Sequence, residues 1–367
     1  MLVNGKAYQA IWHDAKTDKV WVIDQRKLPF SFEVFEITTV KDCYWAIKEM
    51  VVRGAPLIGV AAAYGIYLGL KHSKKSNFLN SISEIALYLK SARPTAVNLE
   101  FVVDAISSQL IQNIENENIS ELALELAKAV EQKEIENCSL IGDYGLSLIQ
   151  DAFLKNGNQP VSILTHCNAG WLACVDWGTA LAPIYKAHEK GIPVHVWVDE
   201  TRPRNQGARL TAWELQSAGV PYTVIPDNTG GHLMQHSKVD MVIVGSDRTT
   251  RNGDVANKIG TYLKALAAHD NAVPFYVALP SSTLDFEMTD GIKNIPIEER
   301  NSDEIREMEC WVDGRLKNAL LMPETTNVAN YGFDVTPARL VSALITERGI
   351  CSASEEGILG LFPEKGC

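Results

Sequence analysis

Short apolar segments that recur along the second half of the chain constrain its fold more than any other feature. They begin after Asn156, and helical segments lie between several of them. The five segments are VSILTH, PVHVWVD, PYTVI, DMVIVGS and AVPFYVAL, which end at His166, Asp199, Ile225, Ser246 and Leu279. Nearly continuous apolar strands alternating with helices are typical of a parallel sheet covered on both faces. We therefore predict a doubly wound α/β domain from about residue 157 onward.

The first part of the chain has a different pattern. Between Tyr8 and Thr38, the stretches VWVID and FEVFEIT flank the turn-like QRKLPFS and predict a small antiparallel sheet. From there to about Asn156 helical patterns dominate. The apolar run from Leu57 to Leu70 is shorter than the ~20 residues of a membrane span and predicts a buried helix.

These patterns divide the chain into two predicted domains. Residues 1–140 are expected to form a smaller domain with a short antiparallel sheet and a helical bundle. Residues 141–367 are expected to form the catalytic α/β domain, with a linking helix at about 138–156.

Charge and cysteine usage exclude several classes of protein. Lys and Arg number 34 against 45 Asp and Glu, and the net charge of −11 argues against a nucleic-acid binder, which needs a basic face. The seven cysteines are odd in number and scattered, with no CxxC, so neither a disulfide framework nor a zinc ribbon is supported. Because no signal peptide or membrane span is recognisable, we expect a cytoplasmic protein without a nucleic-acid or membrane partner.

Polar loops follow all five predicted strands. In open parallel sheets, ligands bind outside the carboxyl ends of the strands. A purely structural domain is expected to show such loops at one or two ends, so five of them favour a binding or catalytic role. The loops comprise residues 166–170, 199–207, 226–232, 246–258 and 280–285.

Two of these loops contain the candidates for proton transfer. Cys167 follows the first strand, where a following helix would lower the pKa of its thiol, although a lone cysteine is more often a small buried apolar residue. Asp247 follows the fourth strand, with Asn257 and Lys258 close behind at the predicted start of a helix. A helix N-terminus beside a lysine suits an anion. One carboxyl and one thiol among cations would suit proton transfer in a small phosphorylated metabolite.

A second anion signal lies in the N-terminal part. In RGAP, Arg53 precedes a predicted helix, Pro56 fits the first helical turn and Gly54 would let a ligand approach the backbone closely. Taken alone, RGAP could be only a helix start, and Arg93 in SARPTAVNLE is similarly ambiguous.

The absence of several motifs narrows the chemistry. There is no GxGxxG after the first α/β strand and no GxxxxGK[ST], so a nicotinamide or nucleotide cofactor has no motif support. His232 and His236 are spaced by four residues but lack a third ligand, and are expected to be surface or packing residues. We therefore expect no cofactor and no metal.

Six motifs together resemble the S-methyl-5-thioribose-1-phosphate isomerase family. They are RGAP, THCNAG, DETRPRNQGARLTAWEL, DNTGGHLM, SDRTTRNGDVANKIGTYLKALAA and FDVTPARLVSALITERG. The resemblance extends from about Trp45 to Pro363 with the motifs in family order. That family is related to the regulatory subunits of the eukaryotic translation-initiation guanine-nucleotide exchange factor, which share the scaffold but not the catalysis.

The resemblance implies a fold, a reaction and a set of residues. It implies a metal-free homodimer with a small N-terminal domain and a Rossmann-like C-terminal domain. The reaction would convert the aldose S-methyl-5-thioribose 1-phosphate, a sugar phosphate of methionine salvage, into the corresponding ketose 1-phosphate. Cys167 and Asp247 would be catalytic. The positions that match the substrate-binding residues of the family are Arg53, Gly54, Ala55, Arg93, Gln206, Asn257 and Lys258.

The implied reaction requires a raised pKa at Asp247. A phosphate on the anomeric carbon prevents spontaneous ring opening, so the enzyme must protonate the ring oxygen or otherwise open the ring. An ordinary aspartate has a pKa of about 3.9, so a carboxyl that donates a proton near neutrality needs a pKa raised by burial. Cys167 would act near C2 or stabilise the transition state, and hydrogen could move from C2 to C1 as a proton or as a hydride.

Two alternatives stay open from the sequence. Trp171 replaces a small residue common in the family, and would either pack against a helix or shape the pocket for the C5 substituent. An isomerase for 5-deoxyribose 1-phosphate or ribose 1,5-bisphosphate is therefore one alternative. The other is a non-catalytic regulatory subunit on the same fold.

Overall fold

The computed structural model describes residues 1–71, 73, 77–93 and 97–366, so Cys367 lies outside the described residues. The chain begins with antiparallel strands. β1 (Leu2–Val3) pairs with β2 (Lys6–Ala7), and a three-stranded sheet contains β3 (Ile11–Asp14), β4 (Lys19–Ile23) and β5 (Val34–Ile37) in that order. Both sheets are antiparallel, which confirms the prediction for this region.

Five helices follow: α1 (Val40–Lys48), α2 (Ala55–Lys71), α3 (Phe78–Lys90), α4 (Val97–Gln112) and α5 (Ile119–Lys155). A capping box starts α1, because Thr39 accepts from the N–H of Asp42 and the Asp42 carboxylate accepts from the N–H of Thr39. In α2 every residue except Gly69 and Lys71 is buried, as the apolar run predicts. Among the described residues, no helix has the length and apolar character that membrane crossing requires.

The helix α5 is a single element of 37 residues. The linking helix expected at about 138–156 is its second half, and the boundary expected at residue 140 falls inside it. One half packs against α2 and the other against α6 (Ala182–Glu189). The division into two domains therefore stays a prediction, and no break in the chain's secondary structure marks it.

A seven-stranded sheet forms the core of the second half. Its strands are β6 (Val161–Thr165), β7 (Val194–Asp199), β8 (Tyr222–Ile225), β9 (Met241–Val244), β12 (Phe275–Ala278), β17 (Ala343–Thr346) and β18 (Gly349–Cys351). The order is β18-β17-β12-β9-β6-β7-β8, and only β18 is antiparallel to its neighbour. The six parallel strands therefore have the order 3-2-1-4-5-6 of the Rossmann fold. All five predicted strands are present, and the predicted fold class is confirmed.

Two of the helices that connect these strands end at a glycine. The elements are α6, α7 (Ala212–Ala218), α8 (Thr229–Gln235) and α9 (Thr261–Asp270), with α12 (Glu355–Leu361) near the C-terminus. Gly191 and Gly219 follow α6 and α7 with φ of 74° and 71°, the left-handed region in which glycine has no steric penalty.

Several elements lie outside the main sheet. A second sheet has the order β13-β10-β11-β16, formed by β10 (Arg248–Thr250), β11 (Val255–Lys258), β13 (Leu284–Asp285) and β16 (Phe333–Thr336). A hairpin of β14 (Glu307–Val312) and β15 (Arg315–Leu320) follows the short helices α10 (Gly291–Asn294) and α11 (Asp303–Arg306). None of these strands is predicted from the sequence.

The second sheet corrects the predicted start of α9. Asn257 and Lys258 do not open a helix, because they end β11 and pair with Asp334 and Phe333 of β16. Gly260, with φ of 101°, separates them from α9. The carboxylate of Asp334 then accepts from the N–H groups of Gly260 and Tyr262 at the start of the helix.

Candidate active site

Cys167 and Asp247 lie at the carboxyl ends of neighbouring strands of the parallel sheet. Cys167 follows β6 after one residue and Asp247 follows β9 after two. These two strands pair with each other, and the strand order reverses between them. Open sheets bind ligands at this reversal. The structure therefore places both residues at the switch point of the sheet.

The backbone of Cys167 is held in an unusual conformation. Its φ is 67°, which is uncommon for a residue with a side chain. The N–H of Cys167 donates to Oγ1 of Thr201 at 2.9 Å, and its carbonyl accepts from Oγ1 of Thr211 at 2.7 Å. Strained backbone persists where the surroundings fix it, and it clusters at functional sites.

The thiol of Cys167 is a neutral group. Burial raises its pKa, and the nearby cations Arg53 and Lys258 oppose that effect only in part. The predicted lowering of this pKa is therefore wrong. Burial is the dominant cause, and Cys167 is also followed by a loop and a short 3₁₀ turn at Trp171–Ala173, not by a helix whose first turn could stabilise a thiolate.

The Asp247 carboxyl combines burial with a cationic environment. Burial is the largest influence and raises its pKa, whereas Arg93, Arg53 and Lys258 act in the opposite direction. The pKa of Asp247 is therefore shifted upward, as proton donation near neutral pH requires. Its backbone N–H donates to the carbonyl of Ala256 at 2.9 Å. No hydrogen bond to the carboxyl itself occurs within the described ranges, so the group is available to exchange a proton.

Lys258 places a cation beside both groups. The residue is only 6% exposed, and burial lowers its pKa while Cys167 and Asp247 act to raise it. Its Nζ lies 5.4 Å from the centre of the Phe333 ring. The buried ammonium thus interacts electrostatically with the thiol and the carboxyl at once.

Arg53 connects the N-terminal part to the Cys167 loop. Its Nη1 donates to Oδ1 of Asn168 at 2.6 Å, and its Nη2 donates to the carbonyl of the same residue at 2.8 Å. Next to it, Gly54 has φ of 99°, and a Cβ there would lie 2.3 Å from the carbonyl oxygen of Ala173. Gly54 therefore permits a close approach to the backbone of Ala173, and its contact with a ligand stays a prediction.

A small cavity of about 50 Å³ contains several predicted site residues. Its wall includes Asp247, Arg93, Gly54 and Ala55, together with Ile58, Ile295, Pro296, Phe333, Ala256 and Arg248. Nη2 of Arg93 lies 3.5 Å from Oε2 of Glu298, which partly balances its charge.

A larger cavity of about 480 Å³ contains Arg53 and Gln206 in its wall. The Oε1 atom of Gln206 is buried and lacks a hydrogen-bond partner in the described part of the chain, so it can accept from a ligand. Arg204 and Arg300 each lie 2.8 Å from Oε1 of Glu304, and these contacts hold the pKa of that carboxyl at about 2. The wall is therefore strongly polar.

Three predicted site residues lie outside both cavity walls as the structure describes them. Cys167, Asn257 and Lys258 are 7%, 5% and 6% exposed. Nδ2 of Asn257 donates to Oγ1 of Thr261 at 3.1 Å, so its amide is already engaged. The structure thus places Asp247, Arg53 and Arg93 in the cavity walls. Cys167 and Lys258 are buried, and the charge of Lys258 acts on both Cys167 and Asp247.

His166, Asp199 and Asp227 form the one group in the described residues with the spacing of metal ligands. Most of their polar atoms already have protein partners, although Oδ1 of Asp199 is buried without one in the described part of the chain. Nδ1 of His166 lies 2.8 Å from Oδ2 of Asp199, and Nε2 lies 2.9 Å from the carbonyl of Ile259. Nζ of Lys264 lies 3.2 Å from the same carboxylate and also donates to the carbonyl of Asp227. Because the Lys264 ammonium already lies against the Asp199 carboxylate, and the Asp227 carboxylate accepts from the N–H groups of Thr201 and Arg202, the donor set does not favour a metal ion.

The contacts of the strand-end loop at 280–285 are within the fold. Ser281 and Ser282 hydrogen-bond to the carboxyl groups of Glu347 and Glu134. The functional interpretation of the loop at 280–285 therefore has no support from its contacts. His232 and His236 are exposed, as predicted.

Trp171 packs inside the protein. Its ring centroid lies 6.0 Å from that of Trp213, and the residue is 1% exposed. It belongs to neither cavity wall, so the packing alternative is the one that the described contacts favour.

Sequence reasoning misses Glu214 and Glu298. Glu214 accepts hydrogen bonds from the Cys167 loop, and Glu298 faces Arg93. A glutamate within the mainly apolar TAWEL stretch is the available signal for the first. Nothing comparable marks the second, because its partner is 205 residues away in the chain.

Residues 51–353 match the profile of the initiation factor 2 subunit family. The chain belongs to this family. A methylthioribose-1-phosphate isomerase of Desulfatibacillum aliphaticivorans is 58% identical over the full length of both proteins.

Two solved structures also resemble the chain closely. The 5-methylthioribose 1-phosphate isomerase of Pyrococcus horikoshii is 36% identical with a TM-score of 0.85, covering 98% of this chain and 97% of that one. A structure described as the delta subunit of translation initiation factor eIF-2B from A. fulgidus is 37% identical with a TM-score of 0.80, covering 97% and 100%.

Proposed function

We propose that this protein is an aldose–ketose isomerase that converts S-methyl-5-thio-α-D-ribose 1-phosphate into S-methyl-5-thio-D-ribulose 1-phosphate in methionine salvage. The full-length identity to methylthioribose-1-phosphate isomerases supports this assignment. The single structural observation that carries it is the meeting of Cys167 and Asp247 at the switch point, within the field of the same two cations, Arg53 and Lys258.

The cations give the site its affinity for a phosphorylated sugar. Arg53 and Arg93 can donate paired hydrogen bonds to phosphate oxygens, and Lys258 contributes a buried point charge. Gly54 and Ala55 lie at the start of α2, where unpaired amides also suit an anion. The remaining proposed binding residues are Gln206 and Asn257.

Asp247 is the proposed proton carrier. Ring opening requires a proton at the ring oxygen, and a carboxyl with a raised pKa holds one closer to neutral pH. After donation, the carboxylate can accept a proton in the transfer of hydrogen from C2 to C1. The nearby cations stabilise that ionised state, so the same group can serve in both directions.

Cys167 is the second proposed catalytic group. As a neutral thiol its S–H can stabilise charge that develops near C2, and its fixed backbone holds it in place. These steps draw only on groups of the chain, so the proposal includes no cofactor. The protein is further proposed to act as a cytoplasmic homodimer, with residues 1–140 and 141–367 as its domains.

A coupled assay for the ketose 1-phosphate tests the assignment. Purified protein is supplied with methylthioribose 1-phosphate, with and without a chelator. Turnover at equal rates in both is expected, because no proposed step uses a metal. Absence of product would contradict the function, and loss of activity with chelator would contradict the cofactor-free mechanism. Parallel assays with 5-deoxyribose 1-phosphate and ribose 1,5-bisphosphate compare the other substrates.

The structure described as an eIF-2B delta subunit supports a second candidate, a non-catalytic regulatory subunit. The presence of Cys167, Asp247 and Lys258 in one charged site argues against it, since a scaffold has no need of that combination. Binding of the sugar phosphate without turnover in the same assay would favour this candidate.

A further inference from the structure

Glu214, on α7, is buried beneath the Cys167 loop. Its carboxylate receives four hydrogen bonds and the residue is 0% exposed. Oε1 accepts from Nδ2 of Asn168 at 2.8 Å and from the N–H of Leu172 at 3.2 Å. Oε2 accepts from the N–H of Trp171 at 2.9 Å and from the hydroxyl of Tyr185 at 2.8 Å. Three of the four donors belong to the loop that carries Cys167.

The Cys167 loop packs tightly against this carboxylate. A Cβ on Gly170 would lie 1.9 Å from Oε2 of Glu214, so only glycine fits at this position of the loop. An ionised carboxylate is purely an acceptor, and four converging donors match it. Burial raises the pKa of Glu214 to about 7, and the four donors counteract that effect.

Asn168 connects Glu214 to Arg53 by hydrogen bonds to both side chains. Because its Nδ2 donates to Glu214, its Oδ1 is turned towards Nη1 of Arg53, 2.6 Å away. The carbonyl of Asn168 accepts from Nη2 at 2.8 Å. A guanidinium group has five N–H bonds, so these two contacts fix its plane and leave three for a ligand. The orientation of Arg53 thus depends on a carboxylate that it does not touch.

We propose that Glu214 is a positioning residue of the isomerase: through Asn168 it orients the Arg53 guanidinium that binds the substrate's phosphate. The inference rests on the proposed function for its substrate, but its probe does not. Inorganic phosphate engages the same guanidinium whether or not the protein turns over a sugar.

The test is Glu214→Gln, with Glu134→Gln as the matched control. Glu134 is also fully buried with a pKa raised to about 7, but it contacts Ser282 instead of the Cys167 loop. In Glu214→Gln an amide NH₂ replaces one acceptor oxygen and faces two donors. We expect the Kd for inorganic phosphate, measured by calorimetry, to rise about tenfold or more, and the KM for methylthioribose 1-phosphate to rise with it. The value of kcat should change less, and Glu134→Gln should leave both constants unchanged.

A second variant keeps the inference testable if Glu214→Gln does not fold. Asn168→Ala removes the relay alone and should weaken phosphate binding similarly. Where both single variants fold, the double variant should bind phosphate no worse than the weaker of them, because they break one chain of contacts.

The inference is overturned if Glu214→Gln, or Asn168→Ala in its place, binds phosphate like the unmodified protein. A purely structural role would lower the Tm of Glu214→Gln without changing its Kd. If the unmodified protein binds phosphate but does not isomerise methylthioribose 1-phosphate, the proposed function fails, and the phosphate measurements still decide the role of Glu214.

Discussion

The loops that follow β6 and β9 meet at the same point of the sheet but are held very differently. The loop after β6, which carries Cys167, is fixed by side chains from other elements, among them Thr201, Thr211 and Glu214. The loop after β9 has a backbone bond from Asp247 to Ala256. The Asp247 carboxyl, by contrast, has no hydrogen-bond partner within the described ranges.

The difference agrees with the two tasks that the proposed function assigns to Cys167 and Asp247. A group that stabilises developing charge must be preorganised, and the β6 loop is fixed at several atoms. A group that carries a proton must be free to gain and lose it, and hydrogen bonds to one protonation state would favour that state. Substitutions in the β9 loop should therefore affect activity, whereas substitutions in the β6 loop should also affect stability.

The largest expected effect is that of Asp247→Asn on turnover. The amide has nearly the same shape but cannot carry the proton, so kcat should fall by about 10² to 10⁴. Because the carboxyl makes no hydrogen bond in the described structure, the thermal midpoint at pH 7 should not fall. Steady-state kinetics and a thermal melt of the same preparation measure both. Near-normal turnover would remove Asp247 from the mechanism.

The next effect concerns the β6 loop. Gly170→Ala places a methyl group against the Glu214 carboxylate, and forcing extra volume into a packed interior costs about 1 to 3 kcal/mol. The midpoint of thermal unfolding should fall by several degrees. The control is Gly360→Ala, where a Cβ meets no atom within 4 Å. Equal stability of the two variants would show that the β6 loop is not tightly fixed.

The smallest effect is a difference in stability with pH. The folded-state pKa of Asp247 is raised, so its contribution to stability is complete below about pH 4 and is lost as the pH rises through the folded pKa. Asp247→Asn lacks this loss. Its midpoint should therefore exceed that of the unmodified protein at pH 8 and match it near pH 4. A variant that is less stable at pH 8 would contradict burial as the dominant influence.

Five of the seven strands in the main sheet were predictable because they are short apolar segments, whereas β17 and β18 were not predicted. In β9 all four residues are buried, and such segments are visible without knowledge of their neighbours. The strands β10, β11 and β16 were missed because they are short and contain polar residues, and because β11 pairs with β16, which lies far from it in the chain. Lys258 shows the consequence, since local spacing places it at a helix start and strand pairing places it at the end of β11.

Within the candidate site, the proximity of two residues could be predicted because both directly follow predicted strands. Cys167 and Asp247 follow apolar strands, and the topology brings them together. The pKa of Cys167 was predicted in the wrong direction, since burial by distant residues outweighs its immediate sequence. Glu214 illustrates the same limit, because a buried carboxylate is recognisable only once its donors are known.

The uninterrupted helix α5 has a mechanical consequence. Its 37 residues extend for about 55 Å, and a rod of that length resists bending at its middle. If the enzyme opens and closes around its sugar, residue 140 cannot serve as the pivot. The motion must occur in the segments on either side of α5. Dividing the protein at residue 140 would leave each fragment with only part of this helix.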